Sequence, residues 1–169
     1  MRAAGRIFLL LSAALLCGGC GIYSFSGTSI DPDVDTITIE YFEYKAPKVN
    51  PSLSNDITEA LRTRFRRMTR LEQVEEGGDL NIYGEITGYS VAAAAVTANE
   101  VAARNRLTVT VKVDFTNRKH SEEDFDGKSF SAYAEYDSTN PLDAVESTLC
   151  EEIVDKLIED IFNATVAQW

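Results

Sequence analysis

Four arginines are the first residues here with a spacing that suggests chemistry. Arg62, Arg66 and Arg70 recur every four residues, which puts them along one side of a helix, with Arg67 at the flank. Guanidinium forks in that arrangement suit an anion, and a phosphorylated lipid headgroup is the class they would hold. The plainer reading is a solvated helix face with Glu59 close enough to pair. Arg104 and Arg106, at the entry to a strand, form a second candidate of the same kind. The single histidine, His120, lies in the charged run 117–124 and reads as a solvated loop residue. The sequence holds no phosphate loop, no G-x-S-x-G elbow and no H-E-x-x-H pair. The acidic run 122–126 lacks the alternation of a calcium loop. No catalytic residues, no metal and no cofactor are therefore expected, and the chain does not read as an enzyme.

Cys20 points to a different chemistry. Arg2 and Arg6 precede an apolar stretch of 10 residues, Ile7 to Leu16. That matches the core of a secretory signal, about 7–15 residues, and falls short of the roughly 20 needed to span a bilayer. Gly18 and Gly19 stand directly before Cys20. The arrangement resembles a bacterial lipobox, cut between Gly19 and Cys20, with Cys17 where leucine is usual. Cys17 is the poorer lipidation candidate because bulky Leu16 precedes it. Each methylene of an acyl chain buried in the membrane contributes ~0.8 kcal/mol, so a lipidated Cys20 would be an anchor. Gly21 occupies the position where aspartate resembles an inner-membrane retention signal, which favours the periplasmic leaflet of the outer membrane. Residues 1–19 carry two arginines and no acid, so their removal moves the net charge from −11 to −13. Nucleic-acid binding needs a net basic face and is excluded on that ground. With Cys20 acylated, Cys150 has no disulfide partner.

The elements that must position these residues follow from periodicity. Residues 20–35 read as a tether and 36–169 as a single domain. Residues 36–44 alternate as a strand with Ile37, Ile39 and Tyr41 on one face. A helix follows, capped by Ser52 or Ser54. Its apolar stripe is Leu53, Ile57, Ala60, Leu61, Phe65 and Met68. Residues 71–74 are a short extension. Leu80, Ile82 and Ile86 alternate with polar residues, with Gly84 and Gly88 on the apolar side, where they suggest close approach of a helix. Residues 107–116 alternate without a fault, and Phe130, Ala132, Ala134 and Tyr136 define a last strand. A C-terminal helix repeats Val145, Leu149, Ile153, Leu157 and Ile161 every four residues, with Cys150 as a small core residue at its side. The order β-α-β-β-β-α predicts an α/β (α+β) two-layer sandwich: a four-stranded mixed sheet with two helices on one face. The other face is Thr, Ser, Tyr and charge, and Tyr83, Tyr89 and Tyr133 are the candidate partner surface on it. Residues 91–103, mostly small and apolar, are long for a hairpin connection and suggest insertion into a partner or a surface loop.

Several stretches together resemble the LptE family of lipopolysaccharide (LPS)-assembly lipoproteins. They are Cys20-Gly21-Ile22-Tyr23-Ser24-Phe25-Ser26-Gly27, Asn50-Pro51-Ser52-Leu53-Ser54, Gly78-Asp79-Leu80 with Gly84-Glu85-Ile86-Thr87-Gly88-Tyr89, Asn105-Arg106-Leu107-Thr108-Val109, and the ending from Ile161 to Trp169. The resemblance implies the same β-α-β-β-β-α sandwich and a non-enzymatic role. It implies a plug inside the LptD-like outer-membrane β-barrel, help with that barrel's assembly, and LPS as a ligand during delivery. The runner-up is a periplasm-facing lipoprotein that scaffolds another envelope complex. Asp35-Thr36-Ile37 and Asp137-Ser138-Thr139 also resemble O-glycosylation acceptors.

Overall fold

The computed structural model describes residues 30–48, 50–94 and 103–166. The signal segment 1–19, the Gly19/Cys20 cleavage point and the tether as far as residue 29 lie outside these residues. β1 (Thr36–Ile39), β2 (Glu43–Tyr44), α1 (Leu53–Met68), β3 (Glu72–Gln73), β4 (Leu80–Ala93), β5 (Arg104–Asn117), β6 (Phe125–Asp137) and α2 (Leu142–Val166) follow in that order. The strands lie side by side as β3-β1-β4-β5-β6, with β2 also on β4. β1 and β2 run parallel to β4, β3 runs parallel to β1, and β4, β5 and β6 form an antiparallel meander. The mixed sheet and two helices are those expected, but the sheet has six strands rather than four.

The two added strands have distinct causes. Residues 71–74 do not end as an extension: Glu72 and Gln73 pair with Thr36 and Ile37 and become β3. The stretch 36–44 is broken by a bulge. Ile39 stands opposite Ile82, yet Glu43 stands opposite Glu85, so three residues face two. The extra residue turns the alternation over. Tyr41, expected beside Ile37 and Ile39, is 54% exposed, and Phe42 is fully buried instead. The Phe42 amide is out of the ladder and donates to Thr58 Oγ1 at 3.1 Å. The Thr58 hydroxyl in turn donates to the Ser54 carbonyl at 2.7 Å, so both buried groups are satisfied. The Phe42 ring lies on Gly84, where a Cβ would overlap its carbons. The glycine expected to admit a helix admits an aromatic ring.

Where β4 begins, Asp79 ties it to β1. Its Oδ2 accepts from the Asp35 amide (3.1 Å), the Thr36 amide (3.1 Å) and the Thr36 hydroxyl (2.9 Å), and the Asp79 amide donates back to that hydroxyl (2.9 Å). The Asp35 amide first and then the Thr36 hydroxyl hold the carboxyl below its ordinary range. Gly78 lets the two backbones meet, because a Cβ there would come 2.6 Å from the Thr38 nitrogen.

The core lies between the sheet and the helices. Leu53, Ile57, Leu61 and Phe65 of α1, Ile153, Leu157 and Ile161 of α2, and Leu107 to Phe115 at alternate positions of β5 have no exposed surface. Burying such side chains is worth roughly 1.5–3 kcal/mol each. Met68, expected to end the α1 stripe, is 45% exposed. The helices run parallel: Asn50, just before α1, bonds Glu146 near the start of α2, and Phe65 packs edge-on against Phe162 near its end, with ring centroids 5.1 Å apart. Ser52 precedes α1 but makes no side-chain cap bond. Its amide and hydroxyl donate to Asn50 Oδ1 instead. Cys150 is buried, as expected of a core residue, and burial pushes its thiol pKa up.

Candidate partner-facing surfaces

The face of the sheet away from the helices is built by alternation, and strand register brings its groups together. Arg106 stands opposite Glu135, Thr108 opposite Tyr133, Thr110 opposite Ser131 and Lys112 opposite Ser129. Arg106 donates to Glu135 Oε1 through Nε (3.1 Å) and Nη2 (2.6 Å), and Arg104 reaches the other oxygen at 3.7 Å. The Arg106 hydrogen bonds are the main reason the Glu135 pKa is lowered. The Arg106 guanidinium also lies 3.9 Å from the Tyr133 ring centre, a cation–π contact that holds a 47%-exposed tyrosine in place. Tyr83 is on the same face, where it donates to Glu85 Oε1 at 2.9 Å. That bond, more than burial, pushes its pKa up to about 12.

Tyr89 is not on this face. β4 gains one residue relative to β5 between Ile86 and Gly88, which turns the strand over. Gly88 faces Thr110 and Tyr89 points inward, 5% exposed. Its hydroxyl donates to Glu146 of α2, and burial, more than that bond, raises its pKa. Glu146 also accepts from Asn50 Nδ2 at 3.3 Å. Asn50 and Glu146 line an acid-rich cleft of about 630 Å³ between the starts of the two helices, with Asp56, Glu59, Glu151 and Asp155 on its walls. Periodicity could place each of these residues on a helix, but only the parallel pairing of α1 and α2 makes the cleft.

The six candidate arginines do not form one site. Arg62 binds Glu59 (2.8 Å) and the Ile39 carbonyl (2.8 Å), so it faces the sheet edge. Arg70 binds Asp35 (3.0 Å) and the Asp31 carbonyl (2.7 Å) and fastens the incoming chain. Arg66 reaches Thr63 Oγ1 at 3.1 Å. Arg67 borders a groove of about 740 Å³ with Arg64, Met68, Ile158 and Glu159. Arg66 and Arg67 are exposed, and among the described residues neither has a carboxylate partner.

His120 is not simply solvated. Its Nε2 lies 3.1 Å from Asp33 and 3.3 Å from Asp31, so the loop after β5 holds the chain entering β1. The hydrogen bond to Asp33 is the first cause of its raised pKa. Of the two glycosylation-like tripeptides, the first has its Thr36 hydroxyl bonded both ways to Asp79, whereas Ser138 of the second is exposed. Part of the stretch 91–103 is strand: β4 runs to Ala93, with Ala92 opposite Arg106. Residues 95–102 lie outside those described.

These features define a two-layer α+β sandwich with one helix-covered and one polar sheet face. No helix among the described residues is long and apolar enough to cross a membrane. The sequence matches the LptE family, described as lipopolysaccharide-assembly, over residues 34–165, and the chain belongs to that family. It is thereby a protein of LPS assembly, from a non-enzymatic lipoprotein family. No curated protein matches it. The fold is similar to that of a hypothetical protein from Chlamydia trachomatis (10% identity, 76% of this chain and 93% of that one, TM-score 0.50). It is also similar to a putative neuraminyllactose-binding hemagglutinin homologue from Helicobacter pylori (11% identity, 83% and 88%, TM-score 0.50). A minor lipoprotein from Acinetobacter baumannii aligns at 14% identity over 77% and 91%, with a TM-score of 0.48.

Proposed function

We propose that this protein is anchored by a lipidated Cys20 to the periplasmic leaflet of the outer membrane. There it plugs an LptD-like β-barrel, assists that barrel's assembly and contacts LPS as it is delivered. The family match over 34–165 carries the reading. The polar sheet face supports it. Hydroxyls, amides and paired charges, rather than an apolar patch, suit the hydrophilic wall of a barrel lumen. Tyr83 and Tyr133, not Tyr89, are the tyrosines available to that wall. For the LPS phosphates, Arg66 and Arg67 are the strongest candidates of the six, because Arg62, Arg70, Arg104 and Arg106 already hold carboxylates.

The test is affinity recovery of the tagged, lipidated protein from detergent-solubilised outer membrane, with Cys20→Ala beside it. A large β-barrel at near-equal stoichiometry with the lipidated form is the expected result. The alanine variant is expected to stay uncleaved or leave the membrane fraction. Recovery of the lipidated, folded protein without a barrel would overturn the plug reading.

A further inference from the structure

The groove of about 740 Å³ between the C-terminal half of α1 and the middle of α2 carries opposite charge on its two walls. Arg64 and Arg67 stand one turn apart on α1, and Asp155 and Glu159 stand one turn apart on α2. Among the described residues no ion pair crosses the groove: Arg64 and Arg67 meet no carboxylate, and Asp155 and Glu159 meet no cation. Glu59, which also lines it, is taken by Arg62 at 2.8 Å. Ala60 and Ile158 add apolar surface, and Met68 beside Arg67 is 45% exposed.

Arg64 is the better fixed of the two cations. Its guanidinium lies over the Phe162 ring, 5.1 Å from the ring centre, a contact that orients it. Its Nε is buried without a hydrogen-bond partner, the one such side-chain nitrogen or oxygen among the described residues. Buried donors are ordinarily satisfied, so this one lacks an acceptor from the chain itself. A simple anion answers only half of the arrangement. It would suit the two guanidinium groups but would be repelled by Asp155 and Glu159. A simple cation has the reverse difficulty. A ligand with both charges a few bonds apart meets both walls, and its small net charge matches two arginines facing two carboxylates.

We infer that this groove binds a phosphoethanolamine group, with the phosphate on Arg64 and Arg67 and the ammonium on Asp155 and Glu159. Met68 offers apolar surface to whatever the phosphate is esterified to. The inference deepens the reading of Arg67 as a phosphate contact and rests on it at that residue, and it needs no barrel. The same group can be carried by a diacylglycerol or by a saccharide, and the test separates the two sources.

Once residues 1–19 are removed, Met68 is the only methionine of the chain, so its isotope-labelled methyl reports on the groove alone in NMR spectra. The mature, lipidated protein in non-ionic detergent is titrated with dihexanoyl phosphatidylethanolamine, dihexanoyl phosphatidylglycerol, a glucose ester of phosphoethanolamine and inorganic phosphate. The expected result is a saturable Met68 shift with the ethanolamine esters, about tenfold tighter than with phosphatidylglycerol or phosphate, a difference equal to about 1.4 kcal/mol. The tighter of the two ethanolamine esters identifies the source. Glu159→Gln should remove the preference for ethanolamine, and Arg67→Gln should weaken both lipids about tenfold. Both side chains are exposed, so neither substitution disturbs the core. Equal binding of the two lipids, lost in Arg67→Gln, overturns the inference and leaves Arg67 standing as a phosphate contact. A Met68 shift that survives Arg67→Gln overturns both. Absence of any saturable shift overturns the inference, and LPS recovered with the tagged protein then decides the phosphate reading by itself.

Discussion

The two halves of the sheet are held in different ways. β4, β5 and β6 are long and antiparallel, and each pairing is interrupted by one register shift, between Ile86 and Gly88 and between Val113 and Phe115. Here the ladder carries the structure, and outer-face residues such as Thr110 are replaceable. The parallel half consists of β1, β2 and β3, with four, two and two residues. Strands this short are held by particular side chains: Asp79 at the start, Thr58 beneath the bulge, and Phe42 on Gly84. The comparison teaches that pairing length and side-chain fastening substitute for one another, and that sensitivity to single substitutions is concentrated where pairing is short.

The largest break in that comparison is expected at Phe42. Phe42→Ala empties a fully buried site and should cost about 3–5 kcal/mol by denaturant unfolding. Gly84→Ala, which pushes a methyl into the ring, should cost about 1–3 kcal/mol. The double variant should fall short of the sum by about 1 kcal/mol or more, because the alanine methyl then occupies space the ring has left. Thr110→Ala in the meander should stay within about 0.5 kcal/mol. Equal losses at Phe42 and Thr110 would remove the distinction between the halves.

A middle effect is expected at Asp79. Asp79→Ala leaves the Asp35 and Thr36 amides without their acceptor and should cost about 2 kcal/mol. The carboxyl has a lowered pKa in the folded state, so its contribution is fully present above the ordinary value of 3.8 and is lost as pH falls through the lowered one. Unfolding measured from neutral pH into that range should show a steeper acid loss in the parent protein than in Asp79→Ala.

The smallest effect is expected at His120, whose folded pKa is raised. Its contribution is complete below 6.5 and disappears as pH rises through the raised folded value. His120→Gln should flatten that part of the stability profile and leave the meander's amide exchange unchanged. A drop in meander protection would show that the entering chain and the meander unfold as one unit.

The meander was legible because one rule, alternation, governs it without interruption from Leu107 to Phe115. The departures from alternation, one in the parallel half and one in β4 of the meander, were less legible because each is a single inserted residue. An extra residue between Ile39 and Glu43 exchanges Tyr41 for Phe42, and one between Ile86 and Gly88 moves Tyr89 from the polar face to the core. Nothing in composition marks either insertion, since Tyr and Phe both suit a strand. In the sequence β3 reads as an extension, because two residues are too few to show a period. Arg62, Arg66 and Arg67 lie on α1 as their spacing suggests, and Arg62 meets Glu59 within that helix, but the helix ends at Met68 and Arg70 lies beyond it; spacing could not show that Arg70 meets Asp35 or that Arg104 and Arg106 meet Glu135, because those contacts cross between elements.

The clasp of Asp79, Arg70 and His120 on the entering chain also fixes a direction of pull. Asp31 to Thr36 are held where β4 starts, and Ala93 ends the same strand 14 residues on. At about 3.3 Å per residue, that end is on the order of 40 Å away, close to the full depth of a bilayer with its headgroups. On the proposed Cys20 anchor, a pull transmitted to residue 30 would load one end of the sheet and leave the other as a reach of fixed length. The domain would then work as a ruler, setting how far from that anchor the ends of β4 and β5 can make contact.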